Sequence, residues 1–238
     1  MLHGGYWRAR YGKLTTRPLC QDLARRGWAA WNVEYRRLGR GQGGGWPATF
    51  DDVAAAIDHL AAFVDPRHNG NDPRSNLAHS SRDGDPLPLD LGRVIAVGHS
   101  AGGQLVLWAA GRPALPPGAP GAAPRVHLGG VVGLAAVSDL EKAGARARAL
   151  LGGDRDEVPD RFAQADPKLT LPLDAPVLLV HPRDDETVPV RRSRAYATAA
   201  QAAGAAVELV EPPGGHRDVI DPGHEAWHAA AERLSHLA

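Results

Sequence analysis

The chain has 238 residues, 43% of them hydrophobic, and its 27 Lys and Arg are matched by 27 Asp and Glu. That size and apolar content suit one domain, 1–238, with a sizeable core, while the charge balance gives no footing for nucleic acid or for an anionic membrane. One cysteine, Cys20, excludes an intrachain disulfide and a multi-cysteine zinc site; with no signal-peptide pattern and no apolar run long enough to span a bilayer, the expected setting is cytoplasmic.

The chain opens on His3-Gly4-Gly5-Tyr6-Trp7, where the lack of side chains at Gly4 and Gly5 lets backbone N–H groups approach a ligand closely. Arg17 to Arg26 reads as an amphipathic helix, with Leu19 and Leu23 at i, i+4 spacing and Gly27 closing it. Trp28 to Tyr35 follows as a strand. Thr49 to Val64 is a second helix, with Val53, Ile57 and Leu60 on one face and Asp51 and Asp52 in the first turn. From 65 to 90 the pattern breaks into Pro, Asn, Asp, Ser and Arg, which predicts a polar surface insertion, disordered or lid-like. The apolar run Val94-Ile95-Ala96-Val97 reads as a strand and Gln104 to Ala110 as a helix. Gly129 to Ala135 is another buried strand, and the polar stretch 138–173 is expected to sit as a cap. Val177 to Val180 and Ala206 to Val210 are the last strands, and a final helix begins near Pro222. Helix and strand alternate, as a parallel sheet requires.

Chemistry concentrates at Gly98-His99-Ser100-Ala101-Gly102-Gly103, a G-x-S-x-G turn set between a strand and a helix. Such a turn exposes a serine Oγ at a helix N-terminus, where the dipole favours developing negative charge. A serine hydroxyl is a poor nucleophile near neutrality, so it needs a histidine base and a carboxylate to orient that base. Asp185 lies just past the strand ending at Val180, and His216 lies in the loop after Val210. Asp184 competes with Asp185, and Asp139 is a third candidate. His181 and His99 abut strand ends and read as local hydrogen-bonding residues. The order Ser100, Asp185, His216 is that of α/β-hydrolases. The N–H groups of Gly4, Gly5 and Ala101 would form the oxyanion hole.

Two other motifs carry less. His224-Glu225-Ala226-Trp227-His228 matches H-E-x-x-H, but it falls in the final helix with no evident third ligand, so no zinc site is expected. Gly39-Arg40-Gly41-Gln42-Gly43-Gly44 is formally G-x-G-x-x-G, with Asp65 about twenty residues on. Pro47 separates it from the helix, so the pyrophosphate of a dinucleotide would find no helix terminus there. The loop instead delivers Trp46 either toward an acyl pocket or into the core. Tyr6 and Trp7 are further candidates for that pocket.

His3-Gly4-Gly5-Tyr6-Trp7, Glu34-Tyr35-Arg36, Gly45-Trp46-Pro47, Gly98 to Gly103, Asp185-Glu186-Thr187-Val188-Pro189 and Gly215-His216 together resemble the esterase/lipase branch of the α/β-hydrolases, and within it kynurenine formamidase-like (arylformamidase-like) proteins. The resemblance extends over most of the chain. It implies Ser100 as nucleophile, Asp185 as acid, through the D-x-x-V-P spacing to Val188-Pro189, and His216 as base, with Gly4, Gly5 and Ala101 as the hole. The branch also holds carboxylesterases and relatives of the prolyl oligopeptidases. Two departures matter. Members usually carry two strands and the body of a third before His-Gly-Gly, whereas only Met1 and Leu2 precede it here, so the expected sheet lacks its first N-terminal strands and a central strand is left as a stump. Pro182 stands where glycine is common, stiffening the approach to Asp185.

These readings converge on an α/β-hydrolase fold with a mostly parallel central sheet flanked by helices. The expected activity is a serine hydrolase that cleaves a small acyl ester or an aryl formamide through an acyl-enzyme, with no cofactor and no metal, and with a small-molecule acyl substrate rather than nucleic acid or a membrane as partner. A prolyl oligopeptidase-like peptidase, a noncatalytic hydrolase-fold binding protein and a zinc-dependent hydrolase are the alternatives. Oligomeric state is not legible.

Overall fold

Short runs of branched apolar residues make the strands, and their placement follows from which faces they must bury. The computed structural model describes residues 1–64 and 89–237. Its sheet consists of β1 (Ile95–His99), β2 (Gly130–Leu134), β3 (Val177–Val180) and β4 (Val207–Val210), in that spatial order and all parallel. Ile95 lies opposite Gly130, Val131 opposite Val177, and Val177 opposite Val207. The strands β2 and β3 are buried throughout, which is why they read as unbroken apolar runs. At the edge, β4 exposes Glu208, whose carboxylate takes a 2.9 Å hydrogen bond from Arg233.

The pleat sorts side chains to two faces. Ala96, Val131, Val177 and Leu179 point to one, against α2 (Ala48–Val64), α3 (Ala101–Ala110), α4 (Ala145–Leu151), α5 (Pro159–Ala165) and α6 (Arg191–Ala202). Val97, Val132, Leu134, Leu178 and Val180 point to the other, against α1 (Arg17–Arg25) and α7 (Glu225–Arg233). Leu19 and Leu23 are the buried stripe of α1, as their spacing predicts. Trp227 anchors α7 beneath the sheet, fully buried, and its indole N–H donates to Asp22 of α1 at 2.8 Å, so its one polar atom is satisfied.

Two differences from the sequence reading have physical causes. The expected strand Trp28–Tyr35 is reduced to one bridge, at Val33, because only Leu2 lies between it and β1. Leu2 bridges Val33 on one side and Gly98 on the other, both in parallel, so the stump is paired on both flanks. Beside it lies a cavity of about 960 Å³ whose lining includes residues 28–33 and 94–97. The last helix starts at Glu225 rather than near Pro222, because Asp218–Ile220 first makes a 3-10 turn and His224 then caps the helix by accepting the Ala226 N–H. The predicted insertion 65–90 falls outside the described residues except for Leu89 and Asp90; the Asp90 carboxylate accepts the Gly92 N–H at 2.9 Å. No helix among the described residues is long and apolar enough to cross a membrane.

Candidate active site

The carboxyl ends of the strands bring the candidate residues together. At the end of β1 the chain turns sharply into α3, and glycine is required on both sides of the turn. A Cβ on Gly98 would lie 2.2 Å from the Gly102 carbonyl oxygen, and one on Gly102 would lie 2.4 Å from that of Leu2. Ser100, between them, has φ 53° and ψ −114°, a conformation that costs a non-glycine residue on the order of 1 to 3 kcal/mol. Tertiary bonds hold it there. Its N–H donates to the Leu134 carbonyl at 2.8 Å, and its own carbonyl accepts from Gln104 and Val137, each at 3.1 Å.

The loops after β3 and β4 supply the partners. His216 places Nδ1 2.6 Å from Asp185 Oδ2 and Nε2 3.0 Å from Ser100 Oγ. With Nδ1–H donated to the carboxylate, the bare Nε2 accepts from the serine hydroxyl. Asp185 is buried and fully engaged: Oδ1 accepts the N–H groups of Thr187 and Val188, both at 2.8 Å, and Oδ2 also lies 3.2 Å from His181 Nε2. Burial opposes ionisation of this carboxyl, but the hydrogen bonds from His181, His216 and the Val188 amide outweigh it and hold it well below the usual carboxylate range. His181 is itself fixed by Ser193 Oγ and the Val188 carbonyl, each at 2.7 Å.

The rival acids are engaged elsewhere. Asp184 accepts the Gly214 N–H at 3.2 Å, while Asp139 pairs with Lys168 at 3.2 Å and accepts the Lys142 N–H. Of the three, Asp185 faces the imidazole. His99 at the end of β1 donates from Nε2 to the His216 carbonyl at 2.9 Å. Burial, reinforced by the neighbouring His216, pushes its pKa down to about 3, so its ring is neutral.

The His3-Gly4-Gly5 segment runs alongside. A Cβ on Gly4 would stand 3.0 Å from the Cβ of Ser100, which measures how closely the loop lies against the serine. Among the described residues, no acceptor takes the N–H of Gly4, Gly5 or Ala101, the last being the first residue of α3. Side chains hold this loop. His3 is buried, with Nδ1 on the Gly4 carbonyl at 2.8 Å and Nε2 on Glu34 at 2.7 Å. Tyr35 stacks on it at 4.3 Å and donates its hydroxyl to the His3 carbonyl at 2.7 Å. Glu34 and Tyr35 received no role from sequence, although alternation along 33–36 places Glu34 and Tyr35 on opposite sides of the chain.

The remaining candidates fall in distinct places. Tyr6, next to the loop, is half-buried beneath the Arg146 guanidinium at 4.3 Å. Trp7 is fully buried, its indole N–H 3.2 Å from Gln104 Oε1. Trp46 packs edge-on against Phe50 at 5.0 Å and donates its backbone N–H to Leu150 of α4 at 2.8 Å. The two histidines of H-E-x-x-H are both engaged, His224 as the helix cap and His228 on the Pro222 carbonyl at 2.9 Å.

Comparison with known proteins agrees with this architecture. The model of the prolyl oligopeptidase family matches residues 87–238, a span that contains Ser100, Asp185 and His216 but not the Gly4-Gly5 segment. No curated protein matches. Among solved structures, a thermophilic esterase from the Planctomycetes species Thermogutta terrifontis, with butyrate bound, is 21% identical; the alignment covers 99% of this chain and 80% of that one, with a TM-score of 0.70. The same organism's esterase 2 phosphoramylated by tabun is 22% identical over 100% and 81%, also at 0.70. The carboxylesterase Cest-2923 from Lactobacillus plantarum is 18% identical over 100% and 82%, at 0.68. At such identities the likeness concerns the fold, which is that of the α/β-hydrolases.

Proposed function

The chain belongs to the prolyl oligopeptidase family, and on that premise we propose that it is a serine hydrolase that cleaves small acyl esters through an acyl-enzyme. The observation that carries the reading is the single imidazole of His216 reaching Asp185 at 2.6 Å and Ser100 Oγ at 3.0 Å while Ser100 is held in a strained turn. In this reading His216 takes the serine proton as Oγ attacks the acyl carbonyl, and Asp185 holds the tautomer and stabilises the charged imidazole. The N–H groups of Gly4, Gly5 and Ala101 face the developing oxyanion, where each such donor is worth roughly 10² to 10³ in rate. His216 then protonates the leaving group, and water attacks the acyl-enzyme by the reverse path. No step calls on a cofactor or a metal.

Butyrate in one structure and the phosphoramylated state in another, both of the same structural neighbour, support a small acyl group and a nucleophile open to organophosphorus reagents. An aryl formamide is the finer reading, since it needs the same attack and the same hole and differs in leaving-group basicity. The match to a peptidase family favours peptides as a second reading. The chain is taken as one domain in which 138–173, carrying α4 and α5, forms a cap. Support for the cap comes from two bonds to the body of the fold, Trp46 N–H to the Leu150 carbonyl at 2.8 Å and the Gln104 amide to the Ala165 carbonyl at 2.9 Å.

The test is Ser100→Ala, with p-nitrophenyl acetate and butyrate, N-formylkynurenine and a prolyl peptide compared side by side. Turnover of every substrate should fall by at least about 10⁴ with the unfolding midpoint retained, and a fluorophosphonate should label the parent chain at Ser100 alone. Undiminished turnover in the variant would overturn the assignment, and absence of labelling in the parent chain would favour a noncatalytic binding protein.

A further inference from the structure

The elbow histidine has contacts that nucleophile, base and acid do not account for. His99 lies between three parts of the site that come from distant stretches of chain. Its Nε2 donates to the backbone carbonyl of His216 at 2.9 Å, and its ring centroid is 4.7 Å from that of His216, tilted by 46°. Its Nδ1 faces Gly4 so closely that a Cβ there would stand 2.7 Å away. Its backbone N–H donates to the Leu2 carbonyl at 3.1 Å, just ahead of His3. His99 is buried, only 6% of the residue being exposed, so water competes little for these contacts.

We propose that His99 is a positioning residue, a tether that fixes the His216 backbone at the height where its imidazole spans Ser100 and Asp185, and that spaces the Gly4 loop from the base. This rests on the serine-hydrolase reading above. His216 sits in a loop after the edge strand, and its imidazole must meet two partners at once, so a shift of its Cα moves both contacts. A carbonyl held by a buried ring from the end of β1, the strand that also delivers Ser100, ties the base to the same rigid element as the nucleophile. Burial serves a second purpose. The groups that face His99 are His216, Asp185 and Arg217, and a ring kept neutral among them adds no charge to oppose the imidazolium that forms on His216. The carbonyl also fixes the tautomer: Nε2 carries the proton and Nδ1 presents a lone pair to the Gly4 side.

A misplacement of about 1 Å in such a constellation costs on the order of 10² in rate. The test compares His99→Gln with His99→Asn. Both are neutral and polar, but only glutamine has the length to bring an amide N–H to the His216 carbonyl. With p-nitrophenyl acetate, His99→Asn should lose about 10- to 100-fold in kcat with KM within about twofold. The apparent pKa of its acid limb should also move, because the bond between His216 and Asp185 is displaced. His99→Gln should recover kcat to within about fivefold of the parent and restore the acid limb. Equal kcat values and unmoved acid limbs in both variants would overturn the tether. So would equal losses in both that follow their unfolding midpoints, since that pattern belongs to packing alone. Ser100→Ala on the same plate separates the two claims: if it stays active the hydrolase reading fails, and if it is inactive while His99→Asn matches the parent, only the tether fails.

Discussion

Two regions of the molecule each press a histidine against a carboxylate, and they use the same bond for different ends. In the amino-terminal region His3 lies 2.7 Å from Glu34; at the carboxyl ends of the strands His216 lies 2.6 Å from Asp185. The difference is at the other ring nitrogen. That of His3 is taken by the Gly4 carbonyl at 2.8 Å, so the pair locks a loop, whereas that of His216 meets a hydroxyl at 3.0 Å, the contact that the proposed proton transfer uses. Their settings differ as well. Ser100, Asp185 and His216 follow strands joined by continuous parallel ladders, while among the described residues the backbone of 1–38 pairs with the sheet through the Leu2–Gly98 bridge, its other bridges, Leu2–Val33 and Arg8–Leu38, lying within the segment itself. Where a ladder holds the backbone, removing one side chain alters chemistry. Where pairing is sparse, the side chains are the scaffold.

The largest effect that sharpens this contrast is expected from Asp185→Asn. It keeps the shape of the site but favours the wrong imidazole tautomer, and kcat should fall by about 10⁴ while the folded state survives. Asp185 also gives a pH signature. Its carboxyl is held well below the usual range in the folded chain, so the charged form is favoured by folding. That stability is fully present above the unfolded-state value near pH 4 and is lost as pH falls below it. Denaturant unfolding of the parent from pH 7 to pH 3 should therefore show a loss at the acid end that Asp185→Asn lacks. A variant with the parental acid slope would show that the hydrogen bonds to Asp185 are too weak to favour its charged form.

A smaller effect is expected from Glu34→Gln, on the structural side of the contrast. Glu34 is held below the usual carboxylate range because hydrogen bonds from the Lys13 amide and His3, together with Arg37, outweigh its burial. Replacing it removes the charged partner of His3 but not the stacking of Tyr35, so the Gly4-Gly5 loop loosens without leaving. The expected result is a fall of roughly 10-fold in kcat, below the cost of deleting a hole donor, and faster cleavage near residues 5–12 in limited proteolysis followed by mass spectrometry. If kcat falls with no change in cleavage, Glu34 acts on the chemistry directly and the division between the two regions does not hold.

Sequence made the second region legible and left the first largely unread. The G-x-S-x-G turn, the acid after β3 and the histidine after β4 are local patterns whose meaning comes from the strand just before them, so Ser100 and His216 could be named without coordinates, and Asp185 is preferred over Asp184 and Asp139 through the D-x-x-V-P spacing of the resemblance. The parallel order of strands followed from alternation alone. Glu34 and Tyr35 act across about thirty residues on a loop that no periodicity marks. Their partner His3 is identifiable only once Leu2 is seen to bridge Val33. The strand expected at Trp28–Tyr35 failed for the same reason: its residues have strand character, but strand formation depends on a neighbour, and neighbours are a tertiary fact. His99 illustrates a third case, in which a local hydrogen-bonding role was legible and its partner, 117 residues away, was not.

The smallest effect is expected where the amino-terminal region meets the 138–173 segment, at Tyr6 and Arg146 of α4. The guanidinium lies 4.3 Å from the ring centroid, and Tyr6 follows directly on Gly5, so through this contact the 138–173 segment touches the residue next to the Gly4-Gly5 loop. Arg146 is exposed, and a cation–π contact in such a place is worth about 0.5 to 1 kcal/mol. The bond lies outside the proton path and outside the backbone donors, so Arg146→Ala should raise KM by no more than about threefold and leave kcat within experimental scatter. A fall in kcat as large as that of Glu34→Gln would mean that the contact with α4 sets the height of the Gly4-Gly5 loop as firmly as His3 does, and the loop would then have two anchors from opposite sides of the site.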